Sequence, residues 1–592
     1  NDNTIRFEGS AKGAAFGTGT TFSAAGLVEG EPFDFDFVRE GSQVKILLNQ
    51  TVVATAPLAN TPGGQFGLLP GKATLRVHEF SATGGLDDGL EMLRQIKIGV
   101  WMDKYINART YRGVYTLFIT DDGDYRPEGM LLPKPSPRRY FGQLESCGFA
   151  TNRGYVLNAA PGIGLIGQTW MPGPEPKEPV IELSMARDTV RSAGLMFRSG
   201  QYSPVALKIT PSPLKRGFKS YADAVRWRVV AFAPYGNGRE EWSPFFLLRR
   251  PFLMLPPLGP AQAWLTVDST GIPPGTYESC VTVECGGAEE GRTFARRTVR
   301  LRVRVADVRV EPKTPILVHG WVVPPPGEEN LRDWFKRFNV WQGPFFTKAE
   351  MDKYGLKQQI YCLRNADTNE VRRQIALAKS KGLGYDDWMF SVMDEPCGQT
   401  AAELGAYLSM AGMIRAADPK VKITMNPGEA ARAATFSILQ PYVDLWNPYA
   451  LHLSYGPSGR DYLKKPWIWY TTPCYGDKAP GMASEIYEQV RSVLRQPGDC
   501  RGTAFFAPYY PGRDPWDTAY EHIRDNSVFV LYSRHGPVAT PTWEALREAV
   551  QHANLARMVR ERAAPNDVQA KALWENGSVE AILAWLEMHP AR

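Results

Sequence analysis

The sequence reads as a multidomain chain: N-terminal β-sandwich or jelly-roll modules, then a (β/α)8 barrel of the TIM type, then C-terminal helices. Three patterns carry this reading. In the first half, apolar and polar residues alternate with a period of two between Gly- and Pro-containing turns, which marks many short strands with one wet face. From about residue 312, short apolar runs alternate with helical stretches, the rhythm of parallel strands joined by crossover helices. Beyond about residue 541 the chain reads as helix. The expected domains are residues 1–87, 88–310 and 311–592.

At 592 residues the chain is long enough for three or more domains, each with its own core. Its 43% hydrophobic and 22% charged residues are those of an ordinary globular protein. The net charge of +6 is small for this length and its Lys and Arg residues are scattered, so no nucleic-acid partner is expected. No run of about 18 apolar residues is present, so no membrane-spanning helix is expected. The seven cysteines are sparse, odd in number and without metal-ligand spacing. The chain begins at Asn1 rather than Met, as removal of an export signal or a tag would leave it, and an exported protein, periplasmic or extracellular, is the expectation. The 16 Trp and 25 Tyr stand out, because flat apolar rings suit the C–H faces of sugars.

Within residues 1–87, Phe33, Phe35 and Phe37 alternate with Asp34 and Asp36, the signature of a half-buried strand. Residues 44–48 and 75–80 read as further strands, with Gly63-Gly64 and Pro70-Gly71 as turns. Residues 66–71 and 77–84 resemble part of a concanavalin-like jelly roll. Residues 88–310 read as a second all-β region. Its clearest strand places Val299, Leu301, Val303 and Val305 on one face and Arg300, Arg302 and Arg304 on the other. Residues 264–267 and 272–277 read as strand, tight turn, strand.

Eight barrel strands follow, at 316–323, 339–346, 358–363, within 385–396, and at 421–426, 443–447, 467–470 and 502–509. Helices are expected at 331–338, at 401–417 and from a capping box at Asp367-Thr368-Asn369-Glu370 to about Gly382. The whole comes close to the ~250 residues usual for such barrels.

The stretch 385–396 delivers two adjacent carboxylates, Asp394 and Glu395, from the end of the fourth apolar strand. Acids at the carboxyl end of a buried strand, ahead of a crossover helix, sit where such barrels keep their chemistry. Pro396 disfavours helical backbone at Glu395. Since consecutive strand residues point to opposite sides, the two acids share a site only if the strand ends or bulges there. The other strand ends offer Trp321, Trp341, Asn426, Trp446, Asn447, Tyr449, Trp469, Tyr470, Tyr509 and Tyr510 to the rim. No HExxH, P-loop, GxGxxG or GxSxG motif is present, so no metal, cofactor or serine nucleophile is expected. Lone histidines such as His319 and His452 usually satisfy local hydrogen bonds, and Asp386 and Asp387 come too early in the strand to reach the mouth.

From about residue 88 onward the chain resembles glycoside hydrolase family 123 and its wider clan. The likeness rests on Phe390-Ser391-Val392-Met393-Asp394-Glu395-Pro396, Val443-Asp444-Leu445-Trp446, the run Trp467-Ile468-Trp469-Tyr470-Thr471-Thr472, Asp514-Pro515-Trp516 and the closing segment 536–547. It implies an exo-acting β-N-acetylhexosaminidase, most directly a β-N-acetylgalactosaminidase, in which the substrate's own acetamido group supplies the nucleophile. Segment 502–510 and the N-terminal module depart from the family pattern, which leaves the sugar open.

The residues support such chemistry by themselves. Conventional glycosidases place two carboxylates on opposite sides of the scissile bond, about 5 to 9 Å apart. Adjacent residues lie on one side and serve that role poorly. A 2-acetamido sugar can attack its own anomeric carbon, so that one acid suffices to protonate the leaving oxygen. Glu395 is read as that acid, and Asp394 as the group that orients the acetamido N–H and balances the developing positive charge. Tyr470 or Tyr449 is expected to donate to the acetamido carbonyl, Trp446, Trp469 and Trp321 to wall the pocket, and Asn426, Asn447 and Tyr509 to bind sugar. Two other readings stay open: an opposed second carboxylate at Asp444 or Asp514 acting on a sugar without the acetamido group, and a non-catalytic glycan-binding protein. The sequence is silent on oligomeric state.

Overall fold

The computed structural model describes residues 4–6, 21–23, 34–40, 43–57, 114–119, 125–130, 155–167, 170–200, 205–235, 241–249, 253–255, 259–285, 296–310, 316–321, 328–363, 367–396, 401–428, 430–449, 452, 460–471, 482–505, 530–533 and 536–590. The chain divides into two compact units, Asn1–Arg76 with Gly287–Arg292, and Val77–Gly286 with Thr293–Arg592.

In the first unit, strands Phe35–Glu40, Gln43–Leu48 and Thr51–Pro57 form an antiparallel meander. Asn49 and Gln50 both take positive φ, 47° and 65°, the two-residue turn whose twist matches that of the flanking strands. The Asn49 side chain accepts from the Asp34 backbone N–H at 2.7 Å and locks that turn. Phe33 and the stretches 63–71 and 75–84 lie outside the described residues.

The second unit begins with two stacked sheets. One runs Glu241–Leu248, Val225–Tyr235, Pro260–Asp268, Val190–Ser199, Tyr155–Pro161 in spatial order; the other is built around the pair Gly275–Cys285 and Arg297–Arg309. Both face one core, in which Leu195, Phe197 and Ala263 of the first sheet meet Leu207, Val281 and Val303 of the second. Val299, Leu301, Val303 and Val305 point inward, while Arg300, Arg302 and Arg304 stay on the wet face and pair with Glu178, Glu182 and Glu587.

Eight parallel strands then close into a barrel: Leu317–Gly320, Val340–Gln342, Gln358–Cys362, Trp388–Ser391, Ile423–Met425, Leu445–Trp446, Trp467–Thr471 and Cys500–Phe505. Strands eight and one pair from Leu317↔Gly502 to Gly320↔Phe505. At that seam a side chain on Gly502 would meet the Leu317 carbonyl oxygen at 1.9 Å, so only glycine lets the strands approach. Leu317, Val340, Ile360, Met389, Leu445, Ile468 and Ala504 fill the interior. Strand residues of the other parity, among them Phe390, Ile423, Trp446 and Trp467, pack outward beneath the helices.

The helix Thr368–Ser380 begins at Asp367, whose side chain accepts from the Glu370 N–H, and Ala401–Ala417 follows strand four. Among the described residues the crossover from strand six to strand seven carries a 3-10 turn, Asp461–Lys464, in place of an α-helix. The long helix Pro541–Arg562 starts with Thr540 accepting from the Trp543 N–H and Pro541 in its first turn, where a missing N–H costs nothing. With Val568–Asn576 and Val579–Met588 it packs on Ala186, Ala306 and Val308 of the two-sheet region, so the C-terminal helices brace sheets and barrel against each other.

Candidate functional site

Strand four ends at Ser391, and Asp394 and Glu395 lie beyond it, at the carboxyl mouth of the barrel. Glu395 takes a left-handed backbone, φ 48°, which is uncommon for a residue with a long side chain. That turn removes the strand alternation which would send neighbouring side chains apart. The Asn426 amide nitrogen lies 3.4 Å from Asp394 Oδ1 and 3.3 Å from Glu395 Oε1, so both carboxylates converge on one donor group. Asp394 is exposed and Glu395 half-buried. The Gly428 N–H donates to Asn426 Oδ1 at 3.2 Å, which turns the amide so that its NH2 faces the acids.

Two tyrosines continue the cluster. The Tyr449 hydroxyl donates to Glu395 Oε1, and the Tyr470 ring stands edge-on to Tyr449 at 4.7 Å. Burial pushes both phenols up, reinforced at Tyr449 by its bond to Glu395 and at Tyr470 by Tyr449 and the two acids. Both remain neutral donors.

The aromatic wall runs on from Tyr470 to Trp321, edge-on at 5.7 Å, and from Trp321 to His319 at 4.7 Å. His319 is fully buried in the barrel. Its Nε2 lies 2.9 Å from Gln342 Oε1, and the Gln342 amide donates in turn to Cys362 Sγ at 3.0 Å. With Gln342 so oriented, Nε2 carries the proton and Nδ1 is an acceptor without a partner among the described residues. Burial lowers the His319 pKa to about 4, so the ring is neutral at physiological pH. Trp321 Nε1 and Asn447 Oδ1 are likewise buried without partners, although the Asn447 NH2 donates to Thr424 Oγ1 at 2.8 Å. The floor of the mouth thus holds one unmatched donor and two unmatched acceptors.

Of the residues singled out in the sequence, Asp394, Glu395, Asn426, Asn447, Tyr449, Tyr470 and Trp321 gather at the mouth. Trp446 and Trp469 do not. Trp446 points outward against Phe436, with its N–H on Gln440, and Trp469 packs against the same outer core. Both alternate with inward residues, Leu445 and Asn447 in one case, Ile468 and Tyr470 in the other, so their parity excludes them from the pocket. Trp341 is also outer core. Tyr509, Tyr510 and Asp514 lie outside the described residues.

Asp444 precedes strand six, at the opposite end of the barrel from the mouth, and accepts from Arg415 at 2.6 Å and from the Ile423 N–H at 2.8 Å. It cannot oppose the acid pair across a substrate. Asp386 pairs with Lys422 and Asp387 with Lys348, both ahead of strand four. Among the described residues no cluster of His, Cys, Asp and Glu is arranged to hold a metal ion. No described helix is long and apolar enough to cross a membrane.

No family model matches the chain, and no curated protein sequence matches it. Among solved structures it is similar to a family 123 glycoside hydrolase from Clostridium perfringens, analysed for glycolipid glycan hydrolysis. That match has a TM-score of 0.55 and 13% identity, and covers 73% of this chain and 96% of that one. Looser likenesses are a GH2 β-galacturonidase from Eisenbergiella tayi, TM-score 0.29 at 12% identity over 61% of this chain and 68% of that one, and a β-D-glucuronidase of Dictyoglomus thermophilum, TM-score 0.30 at 13% identity over 62% and 68%. What this chain shares with the family 123 enzyme is its fold.

Proposed function

We propose that this protein is an exo-acting, retaining β-N-acetylhexosaminidase, in the first place a β-N-acetylgalactosaminidase, that works through an oxazoline-type intermediate. The observation that carries this reading is the convergence of Asp394 and Glu395 on one amide, from one side of the mouth. Two carboxylates so placed do not flank a glycosidic bond, which supports a nucleophile supplied by the substrate.

The acetamido carbonyl oxygen attacks the anomeric carbon as the bond to the leaving oxygen breaks, and the Glu395 carboxylic acid gives that oxygen its proton. Asp394 accepts from the acetamido N–H and balances the charge on the oxazolinium ring. Water then attacks the anomeric carbon from the face the leaving group left, giving its proton to the Glu395 carboxylate and returning the acetamido group intact. The Tyr449 hydroxyl donates to Glu395 and accepts from the Tyr470 hydroxyl, and it is the Tyr470 donor that turns to the acetamido oxygen when substrate binds. His319 Nδ1 and Trp321 Nε1 supply the acceptor and donor that a sugar hydroxyl requires. A glycolipid or other glycoconjugate glycan is the substrate class.

Aryl glycosides with and without the 2-acetamido group test the proposal. Turnover confined to the acetamido series, inhibition by a thiazoline mimic of the intermediate, and loss of turnover in Glu395→Gln are the expected results. Equal turnover of sugars lacking the acetamido group would refute it.

A further inference from the structure

We infer that Gly428 is a positioning residue that holds Glu395 in its proton-donating pose; the inference rests on the reading of Glu395 as the general acid. Four non-glycine residues among those described take positive φ: Asn49, Gln50, Asp188 and Glu395. Asn49 and Gln50 form the turn of an antiparallel hairpin and Asp188 lies in the link from one sheet to the other, whereas Glu395 lies in the candidate site. A left-handed glutamate persists only where its surroundings impose it.

Gly428 is the neighbour that leaves it the room to do so. Its own φ is 80°, and a Cβ built on it would stand 2.9 Å from Glu395 Cβ, 3.3 Å from its Cα and 3.5 Å from its Cγ. The first two of those atoms belong to the root of the side chain and cannot swing aside. Any larger residue at 428 must therefore push the Glu395 backbone, and the carboxyl with it. The same glycine donates its N–H to Asn426 Oδ1 and so aims the Asn426 NH2 at both acids. One residue thereby fixes the acid from behind and orients the amide in front of it. Proton transfer needs hydrogen-bond reach, and displacements of about 1 Å cost large factors in rate.

The test uses the full chain and two aryl 2-acetamido-2-deoxy-β-galactosides, one with dinitrophenol as leaving group and one with unactivated phenol. A displaced general acid harms only the leaving group that needs a proton. Gly428→Ala is expected to lower kcat/KM on the phenyl glycoside by about 10²-fold or more and to leave the dinitrophenyl glycoside within a few-fold. Gly428→Asn adds the same Cβ on a residue that tolerates left-handed backbone, and is expected to show the same split. Equal losses on both substrates, no loss on either, or failure of both variants to fold would overturn the inference. Glu395→Gln separates the two readings. If it shows the leaving-group split and the Gly428 variants do not, only the role of Gly428 falls; if it shows no split, the assignment of the acid falls.

Discussion

Two regions of the second unit hold buried or half-buried carboxylates and treat them in opposite ways. Where the helix Pro541–Arg562 meets sheets and barrel, Glu544 is buried and ringed by guanidiniums: Arg228 at 3.0 Å, Arg337 at 4.0 Å, and Arg547. Arg337 stacks on the Trp543 ring at 3.9 Å and donates to the Trp543 carbonyl at 3.0 Å. Burial alone would raise the Glu544 pKa, but the three cations override it and hold the carboxyl down at about 2. At the barrel mouth, Glu395 enters no ion pair among the described residues; a phenol and an amide hold it. A carboxylate ringed by cations is committed to one charge and works as a structural bolt. One held by neutral donors, on a strained backbone, is arranged to change its state.

That contrast breaks first at Glu395. Glu395→Gln is expected to lower kcat/KM on unactivated acetamido glycosides by about 10² to 10⁴-fold with little change in melting temperature, as measured by steady-state kinetics and thermal denaturation. Glu544→Ala is the mirror image. Removing one partner of a buried charge cluster costs about 3 to 5 kcal/mol, because the guanidiniums are left uncompensated. Urea denaturation is expected to show that loss, with kcat/KM per folded molecule unchanged below the transition. If Glu544→Ala impaired chemistry as strongly as stability, the division of labour between the two regions would collapse.

A smaller effect sharpens the assignment of the tyrosines. Tyr470→Phe removes one donor that orients the attacking acetamido oxygen; that oxygen gives up electron density as it attacks, so the bond is an ordinary neutral one, worth about 0.5 to 1.5 kcal/mol, roughly 2- to 10-fold in rate. The loss is expected in kcat with KM nearly unchanged, and it is expected to vanish for the Tyr470→Phe and Glu395→Gln pair measured with an activated leaving group only if the two groups serve the same step.

The barrel was legible in the sequence because its strands are buried on both faces and read as uninterrupted apolar runs, as in Trp388–Ser391 and Trp467–Thr471. The helix Thr368–Ser380 was legible at its start, because Asp367 of the capping box accepts from the Glu370 N–H. Facing was not. Trp446 and Trp469 sit one residue from inward neighbours, and in a strand a single residue decides between pocket and outer core. The convergence of the acid pair depends on a left-handed glutamate and on contact with a glycine 33 residues later, which no local pattern encodes. Asn426-Pro427-Gly428 reads as an ordinary turn. His319 was set aside as a residue with its needs met locally; one nitrogen is bonded and the other is not, and only coordinates distinguish them.

The two regions differ least, and most instructively, in their histidines. His319 at the mouth is lowered to about 4 by burial, against its bond to Gln342, and His552 at the seam to about 3 by burial and by Arg491 and Arg191. For both, the unfolded chain binds a proton below about 6.5 while the folded chain does not. Their contribution to stability is therefore complete above pH 6.5 and is lost as the pH falls, toward about 4 for His319 and about 3 for His552. Each adds a slope of about 1.4 kcal/mol per pH unit within its window. Glu544 adds its own loss only lower, between the ordinary carboxylate range and about 2. Unfolding free energy measured between pH 6.5 and 4 is thus expected to fall, offset in part by Glu548, whose pKa burial raises so that the folded chain takes up its proton first. His319→Gln, with no imidazole to protonate, is expected to make that fall shallower by the slope of one proton and leave the Glu544 loss below pH 4 in place. An unchanged slope would mean that His319 already takes up its proton in the folded barrel, and so that its Nδ1 is not the bare acceptor which a sugar hydroxyl would need.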